Sequence, residues 1–376
     1  MKKCVVVSDS FKGTVSSREI CEIAQRVIPR HFPACEVVCI PVADGGEGTV
    51  DCFVQAMGAQ RVGVTVTNAL GEKSAAAYAR LGELAIIERA AAAGLPQVGA
   101  LRCPGTATTY GVGKLIAHAI DSGCRKILLG LGGSATNDGG CGCAAALGVR
   151  FYDADGQSFV PVGDTLGRIA RIDTAKAEAL LRSVEITVMC DVTNPLCGEN
   201  GCSAVFGPQK GATPEMIREM DGYMRDYAAL TKELYPESNL DTPGAGAAGG
   251  LGFALGVFLH AELMPGIEIV MEETHLEEKI KNADFVVTGE GRLDAQTAMG
   301  KAPVGVAKFA KKYHKPVIAF AGGIEKGAEA CNKAGITAFF PAVRGVTTLD
   351  EAMRPETAAE NLAESAEQVF RLLTLR

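Results

Sequence analysis

The sequence predicts an α/β protein in which one domain, built on a doubly wound parallel sheet, is interrupted by a second, inserted α/β domain. Glycine supplies 45 of the 376 residues, about 12% against a usual figure of about 7%. Hydrophobic residues make up 47% of the chain but aromatic residues only 6%, so aliphatic side chains must do most of the packing. Glycine-rich turns between aliphatic strands are typical of this class.

The N-terminal segment predicts a strand, a polar turn and a helix. Residues 4–7 form an apolar run of strand length, and residues 8–14 form the turn. Ser16 and Glu19 make a capping box, which opens a helix by satisfying its first backbone N–H groups. The apolar residues that follow recur at helical spacing and would cover one face: Ile20, Ile23, Ala24, Val27 and Ile28.

Four further strand units complete the predicted sheet. The second strand, residues 37–42, runs into a glycine-rich acidic turn and a helix at residues 50–57. The last three strands lie near the C-terminus, at residues 285–288, 316–320 and 336–341, with helical sequence at 302–312 and 325–334. Five such units divided between the two ends of the chain favour one doubly wound sheet, assembled from residues 1–62 and 284–376.

The middle of the chain, residues 63–283, is predicted to be the inserted domain. It begins with two strand-like segments at residues 62–66 and 75–79 and holds a strand and loop at residues 126–140. Thr213 is placed to cap a long helix that would end near Leu234, with proline at its first position.

Composition excludes several classes of protein. The net charge of −7, the isoelectric point near 5.4 and the lack of a basic run argue against a nucleic-acid surface. Thirteen cysteines, an odd number scattered along the chain, predict reduced thiols and a cytoplasmic protein rather than a disulfide framework. The longest apolar stretches are too short for a membrane helix, which needs about 20 residues. The oligomeric state cannot be predicted from these data.

The segment at residues 288–301 concentrates charge directly behind an apolar run. Glu290, Arg292, Asp294 and Lys301 stand there among three glycines. Parallel sheets bind ligands at the carboxyl ends of their strands, and a carboxylate there can hold a metal or take a proton. The segment predicts a site that handles phosphate; a strand-to-helix turn with solvated charges is the alternative.

Two turns near the N-terminus carry further candidates. Lys12, after the first strand, is a candidate contact for a phosphate or carboxylate, although an ordinary capped turn would look the same. Asp44 and Glu47 follow the second strand among glycines. Carboxylates in such a place can ligate Mg²⁺ directly or through water.

A loop of glycines and small polar residues follows the predicted strand near residue 128. Backbone amides in such a loop before a helix form a nest for anions, and a tight connection is the alternative. The candidate phosphate contacts are Gly132, Gly133, Ser134, Thr136 and Asn137.

Three further patterns bear on metal, dinucleotide and nucleotide binding. Asp191, at the end of another predicted strand, is a candidate metal or substrate ligand, or else a turn cap. The run from Gly244 to Gly249 satisfies the Gly-x-Gly-x-x-Gly pattern but lacks the preceding strand that the dinucleotide fingerprint requires. No Gly-x-x-x-x-Gly-Lys-Ser/Thr sequence occurs, which excludes a P-loop kinase.

Taken together, these segments resemble the glycerate kinase family of the bacterial type. The matching stretches follow the family's order along nearly the whole chain: residues 8–14, 41–49, 130–140, 191–195, 205–212, 243–252 and 289–303. The resemblance implies a flavodoxin/Rossmann-like domain interrupted by a second α/β domain. It also implies ATP-dependent phosphorylation of D-glycerate, with the 2-hydroxyl as the usual acceptor and 3-phosphoglycerate as the other product to be considered.

Phosphoryl transfer requires alignment, cations and a carboxylate near the acceptor hydroxyl, and we assign roles on that basis. ATP and Mg²⁺ are the expected cofactors, and the active site is expected in a cleft between the two domains. The expected metal ligands are Asp44, Glu47 and Asp191. The expected nucleotide contacts are Gly132, Gly133, Ser134, Thr136, Asn137 and Lys301. The expected catalytic residues are Asp294 as the base, with Arg292, Lys12 and Asp191.

Two other functions stay open on the sequence. An NAD(P)-linked dehydrogenase of a small hydroxy acid is favoured by the sheet and by the glycine pattern near residue 244. A nucleotide-sensing domain without catalysis would explain the glycines, but not the many acids paired with Lys and Arg at strand ends.

Overall fold

The computed structural model describes residues 1–40, 42, 45–46, 48–295, 297–299 and 301–375. The chain divides into two compact units: unit 1 comprises residues 1–44 and 266–376, and unit 2 comprises residues 45–265. Both divisions fall 18 residues before the predicted ones, since 62 − 44 and 283 − 265 both equal 18. The segments between the predicted and observed divisions therefore belong to the other unit.

The strands form two main sheets and one small sheet. In chain order the strands in the described part of the chain are β1 (Lys3–Val6), β2 (Glu36–Cys39), β3 (Gln60–Thr67), β4 (Lys73–Leu81), β5 (Leu84–Glu88), β6 (Lys126–Gly130), β7 (Arg150–Tyr152), β8 (Ser158–Phe159), β9 (Arg171–Asp173), β10 (Glu185–Met189), β11 (Glu262–Met264), β12 (Phe285–Leu293), β13 (Val317–Ile324) and β14 (Ala338–Pro341).

Helices cover the faces of these sheets. In chain order the α-helices of the described residues are α1 (Ser17–His31), α2 (Thr49–Met57), α3 (Ala90–Ala93), α4 (Leu95–Val98), α5 (Tyr110–Asp121), α6 (Cys141–Ala146), α7 (Ala175–Leu181), α8 (Cys202–Phe206), α9 (Pro214–Leu234), α10 (Ala247–Phe258), α11 (Gly266–Glu273), α12 (Leu276–Lys281), α13 (Ala302–Lys312), α14 (Ala330–Ala334), α15 (Leu349–Ala352) and α16 (Pro355–Leu373). None of them is long and apolar enough to cross a bilayer.

Unit 1 contains a five-stranded sheet in the order β14-β13-β12-β1-β2, and every pairing in it is parallel. Numbered within the unit, this order is 2-1-3-4-5, the flavodoxin-like arrangement, in which ligands bind where β1 and the next strand inward diverge. The predicted α/β class is confirmed. The capping box at Ser16 is present, and the five predicted apolar residues of α1 are buried.

Strand β12 is longer than the sequence predicts. It continues to Leu293, and its second half pairs with β13, from Gly289 opposite Phe320 to Leu293 opposite Ile324. A Cβ at Gly289 would stand 2.4 Å from the Phe320 carbonyl oxygen, so a side chain there would break this pairing. Glu290 and Arg292 therefore stand on a strand rather than in a turn.

Unit 2 contains a six-stranded mixed sheet in the order β11-β10-β6-β5-β4-β3. The four strands from β11 to β5 are parallel, and β4 and β3 continue the sheet antiparallel. Helices α5, α6, α9 and α10 bury their apolar faces in its core. Thr213 caps α9 as predicted, by accepting from the Met216 N–H at 3.2 Å.

The glycine run at the start of α10 packs closely against the loop after β6. Gly249 lies within the first turn of that helix with non-helical angles, at φ = +72°, and a Cβ there would stand 2.0 Å from the Thr136 carbonyl oxygen. Only glycine combines that backbone conformation with that approach. The Gly-x-Gly-x-x-Gly match therefore has a packing explanation and stands at the start of a helix rather than after a strand.

Candidate functional site

The second half of β12 and the turn after it carry a compact group of charged side chains in unit 1. We call this group the β12 cluster; it consists of Glu290, Arg292, Asp294, Thr297 and Lys301. Lys301 is the N-cap residue of α13, which fixes its distance from the strand. The sequence singled out four of these five residues, and the structure brings those four together.

The hydrogen bonds and ion pairs of the β12 cluster meet at two carboxylates. The Thr297 hydroxyl donates to Glu290 Oε1, and the Thr297 N–H donates to Asp294 Oδ1 at 3.0 Å. Lys301 Nζ lies 3.6 Å from Glu290 Oε2 and 3.8 Å from Asp294 Oδ1. Thr297 and Lys301 therefore hold both carboxylates in one place.

Arginine closes the other side of the cluster. Arg292 Nε lies 3.5 Å from Asp294 Oδ2, and its Nη1 lies 3.3 Å from Glu325 Oε1. Its side chain is 62% exposed, while that of Asp294 is only 10% exposed. The guanidinium thus shields one edge of a buried carboxylate from solvent.

The β12 cluster balances its charges. Its two carboxylates (Glu290 and Asp294) face two cations (Arg292 and Lys301), and the exposed Glu325 contacts Arg292 from outside the cluster. Burial raises the pKa of Glu290 above its usual value, although the Thr297 hydroxyl and the Lys301 ammonium act in the opposite direction.

Lys12 lies next to this region through its main chain. A Cβ at Gly291 would stand 3.4 Å from the Lys12 nitrogen, and the Asp9 N–H donates to the Gly289 carbonyl at 3.0 Å. The Lys12 side chain is exposed. The turn after β1 thus borders the β12 cluster, as its place at the sheet edge predicts.

A second charged group lies at the carboxyl edge of the unit 2 sheet. Strand β5 ends at Glu88 opposite Gly130 of β6, and Met189 of β10 also pairs with Gly130. The residues that follow these three strand ends therefore share one edge. We call the buried charges there the Arg89 cluster; it consists of Arg89, Asp138 and Lys210, all at most 1% exposed.

Asp138 is held by four donors. Its Oδ2 accepts from the Thr109 N–H at 2.7 Å, the Thr109 hydroxyl at 2.8 Å and the Gly142 N–H at 3.3 Å, and its Oδ1 accepts from the Gly140 N–H at 3.1 Å. Burial raises its pKa, and these hydrogen bonds lower it. Asp138 thus accepts hydrogen bonds from backbone amides at the start of α6. The sequence predicts that amides of this loop bind phosphate.

The two cations of the Arg89 cluster differ in their partners. Lys210 Nζ donates to the Thr136 carbonyl at 2.7 Å. Among the described residues, Arg89 Nε, Nη1 and Nη2 have no hydrogen-bond partner. Burial lowers the pKa of Arg89 to about 10 and that of Lys210 to about 8, and the Arg89 charge contributes to the shift of Lys210.

The lowered pKa of Lys210 predicts a pH dependence of stability. Between about pH 8, where the folded protein loses this proton, and pH 10.5, where the unfolded chain loses it, the unfolded state binds more protons. The Lys210 contribution to the free energy of unfolding therefore rises with pH across that window. Cys202, Arg89 and Asp138 are the charged or titratable groups that shift this pKa.

We expect the free energy of unfolding of wild type minus that of Lys210→Met to increase from pH 7.5 to pH 10.5 in denaturant titrations. The subtraction removes the titration of groups that both proteins share. A difference that stays flat or falls over this range would show that Lys210 is not charged and desolvated at neutral pH.

The predicted phosphate contacts divide into accessible and buried residues. Gly133 is exposed, and Gly132 and Ser134 are partly buried. Thr136 and Asn137 are fully buried, and Asn137 Nδ2 donates to Ser203 Oγ at 2.9 Å. The first three residues can meet a ligand directly, while the last two support the loop from inside.

Of the three predicted metal ligands, Asp191 lies within the described residues. Asp191 is exposed and follows β10 at the same sheet edge as the Arg89 cluster. Asp44 and Glu47 lie outside the described residues. Across residues 1–40, 42, 45–46, 48–295, 297–299 and 301–375, no group of three or more His, Cys, Asp or Glu side chains could hold a metal ion.

Sequence reasoning did not single out Arg89, Asp138, Thr297 or Lys210 as site residues. Arg89 had a usable signal, because residues 84–87 are an apolar run and two charged residues, Glu88 and Arg89, directly follow it. Thr297 had none, because its role depends on the length of β12.

Comparison with known proteins gives one consistent result. The model of the glycerate kinase family matches residues 4–374. The chain is 44% identical over 371 residues to a glycerate kinase of Halalkalibacterium halodurans, covering 96% of this chain and 98% of that protein. It is also 44% identical over 377 residues to the glycerate 2-kinase of Escherichia coli K12, covering 99% and 98%.

A solved structure agrees. The crystal structure of a protein from Salmonella typhimurium LT2 assigned as glycerate kinase 2 superposes with a TM-score of 0.86 at 43% identity, covering 99% of this chain and 98% of that one.

Proposed function

The chain belongs to the glycerate kinase family, and on that premise we propose that it transfers the γ-phosphoryl group of ATP to the 2-hydroxyl of D-glycerate. The products are ADP and 2-phosphoglycerate. The observation that carries this proposal is the match over 99% of the chain to a relative named glycerate 2-kinase.

We assign proton transfer to the β12 cluster. Asp294 accepts the proton of the 2-hydroxyl while the hydroxyl oxygen attacks the γ-phosphorus. The bond from that phosphorus to the β,γ-bridging oxygen breaks, which leaves ADP. Lys301 and Arg292 hold Asp294 in position. Lys12 is exposed on the neighbouring turn. We assign it to stabilise the negative charge of the phosphoryl group during transfer.

We assign nucleotide binding to the loop after β6. Gly132, Gly133 and Ser134 are its accessible residues and are assigned to the phosphates of ATP, with Lys301 as a further contact. Thr136 and Asn137 keep the loop in shape from within. Alignment by such contacts supplies much of the rate in phosphoryl transfer.

Magnesium fits the chemistry of the donors. Mg²⁺ at nucleotide sites is held by one or two carboxylates together with substrate phosphates, so a cage of three protein ligands is not required. Asp191 offers one exposed carboxylate at the sheet edge; Asp44 and Glu47 are the other proposed ligands. The ion would neutralise charge that develops on the β- and γ-phosphates.

We expect turnover to fall below about 1% of the untreated rate when EDTA exceeds all divalent cations, and to recover on addition of excess Mg²⁺. The measurement is ADP release followed by a coupled assay whose own metal requirement is tested separately. Full turnover in EDTA would refute the metal requirement.

The function itself is tested by identifying the product. Purified protein is incubated with ATP, Mg²⁺ and D-glycerate, with L-glycerate as the control, and phosphorus NMR distinguishes 2-phosphoglycerate from 3-phosphoglycerate. ADP release without D-glycerate would indicate an ATPase instead. Reduction of NAD⁺ or NADP⁺ by D-glycerate, without ADP release, would support the dehydrogenase alternative.

The proposed location is the cytoplasm. All thirteen cysteines are unpaired thiols, which suits a reducing compartment. Fractionation of cells that express the chain, with immunodetection in each fraction, tests this assignment.

A further inference from the structure

We propose that Arg89 and Lys210 bind the carboxylate of the acceptor substrate, a small monoanion, inside unit 2. This inference rests on the proposed function for the identity of the acceptor. The observation behind it is a fully buried guanidinium none of whose three nitrogens has a hydrogen-bond partner among the described residues.

A buried arginine without hydrogen-bond partners destabilises the folded protein. Leaving a buried polar group unpaired costs about 1–3 kcal/mol, and more for a charged one. Even the exposed Arg125 of the same unit has partners: its Nη1 donates to the Ile120 and Cys124 carbonyls at 3.0 and 2.7 Å. Arg89 departs from that pattern at a strand end, where α/β proteins bind ligands.

The nearby carboxylate does not satisfy Arg89. The Asp138 charge acts to raise the pKa of Arg89, but among the described residues none of the three Arg89 nitrogens has a hydrogen-bond partner, Asp138 included. Asp138 already accepts four hydrogen bonds from Thr109, Gly140 and Gly142. The cluster therefore holds two cations and one anion, and an added monoanion would bring its charge to zero.

The charge and burial favour a carboxylate over a nucleotide phosphate. A guanidinium presents two parallel N–H donors that match a carboxylate edge to edge. A triphosphate carries several negative charges, far more than the single excess charge of this cluster.

Access requires movement of nearby backbone. Arg89 and the residues after it are joined to the loop after β6 by three hydrogen bonds: Arg89 N–H to Gly130 O at 3.0 Å, Leu95 N–H to Gly133 O at 2.9 Å and Ala135 N–H to Ala93 O at 3.1 Å. We expect the carboxylate to enter as these segments shift. The same loop carries the proposed nucleotide contacts, so both ATP and the acceptor substrate would shift or contact it.

Arg89→Met is the decisive variant. We expect it to raise the melting temperature of the ligand-free protein, because it removes an unpaired buried charge. It should weaken D-glycerate binding in calorimetry by roughly 10²-fold and leave the affinity for a non-hydrolysable ATP analogue within about threefold. Arg125→Met, which removes an arginine that already has partners, should leave D-glycerate affinity unchanged.

Arg89→Lys keeps the test valid if Arg89→Met does not fold, because it retains the charge without the planar fork. We expect roughly tenfold weaker binding of D-glycerate and no change for glycerol, which lacks the carboxylate. Unchanged D-glycerate affinity in either variant would overturn the proposal. Loss of affinity for the ATP analogue alone would assign the site to nucleotide phosphate and overturn the carboxylate assignment.

The outcomes also separate this proposal from the proposed function. If wild type binds D-glycerate through Arg89 but forms no phosphoglycerate, the carboxylate site stands and the kinase assignment fails. If wild type forms 2-phosphoglycerate and the Arg89 variants keep its KM for D-glycerate, the kinase assignment stands and the carboxylate site fails.

Discussion

Asp294→Asn is expected to lower kcat by about 10² to 10⁴-fold, the usual cost of losing a general base. The amide nearly matches the carboxylate in shape and can still accept from the Thr297 N–H, which lies 3.0 Å from Oδ1. It cannot take a proton from the acceptor hydroxyl. The expected loss is therefore in the chemical step, with KM for D-glycerate changed much less.

Glu325→Gln is the matched control, because it also removes a carboxylate that faces Arg292. Glu325 is 55% exposed and lies on the outer side of that arginine, so we expect a change in kcat below about threefold. The measurement is steady-state kinetics with circular dichroism to establish folding. If the kcat of Asp294→Asn stayed within tenfold of the wild-type value, Asp294 would not be the base.

Glu290 is the neighbouring acid that competes for this role. Its carboxylate oxygens face the Thr297 hydroxyl and the Lys301 ammonium, and those of Asp294 face the Thr297 N–H and Arg292 Nε. Glu290→Gln is therefore compared with Asp294→Asn in the same assay, and the larger loss of kcat identifies the base.

Asp138→Asn is expected to reduce the free energy of unfolding by at least about 3 kcal/mol. All four donors to Asp138 are fixed, three of them backbone N–H groups of Thr109, Gly140 and Gly142. An asparagine must turn its NH₂ group toward one set of these donors, which leaves them unpaired in a buried place. Arg89 and Lys210 would also lose a negative charge that acts on both of them.

Asp153→Asn provides the control for this effect. Asp153 likewise accepts from backbone N–H groups, of Asp155 and Gln157 at 3.1 and 2.9 Å, but does so in a surface turn. We expect a change below about 1 kcal/mol there. The chain has no tryptophan, so denaturant unfolding is followed by circular dichroism; equal effects in the two variants would refute the role of burial.

The sequence was sufficient to predict elements whose signals are local. The capping box at Ser16 and the N-cap at Thr213 define the starts of α1 and α9, and α13 spans the predicted residues 302–312. These signals act within one or two helical turns, so no tertiary contact is needed to recognise them. The parallel sheet of unit 1 follows from apolar strands that alternate with such helices.

The extension of β12 lies beyond that local information. Residues 289–293 carry glycine and charge rather than an apolar pattern, and they are a strand because β13 pairs with them. The division between the units shifts for a similar reason: α11 and α12 belong with unit 1, although they precede β12 in the chain. Strand pairing and helix packing join residues far apart in sequence, and a local pattern does not record them.

By itself the sequence determined the α/β class, the family resemblance and the strand ends where chemistry was expected, because hydrophobic periodicity and glycine-rich turns are local properties. It singled out residues 288–301 as a place for phosphate and substrate anions. Only the tertiary structure decided the balance of charge at each strand end. It places Arg292 and Lys301 beside Asp294 and leaves Arg89 and Lys210 as buried excess cations, because burial and pairing depend on which segments the fold brings together.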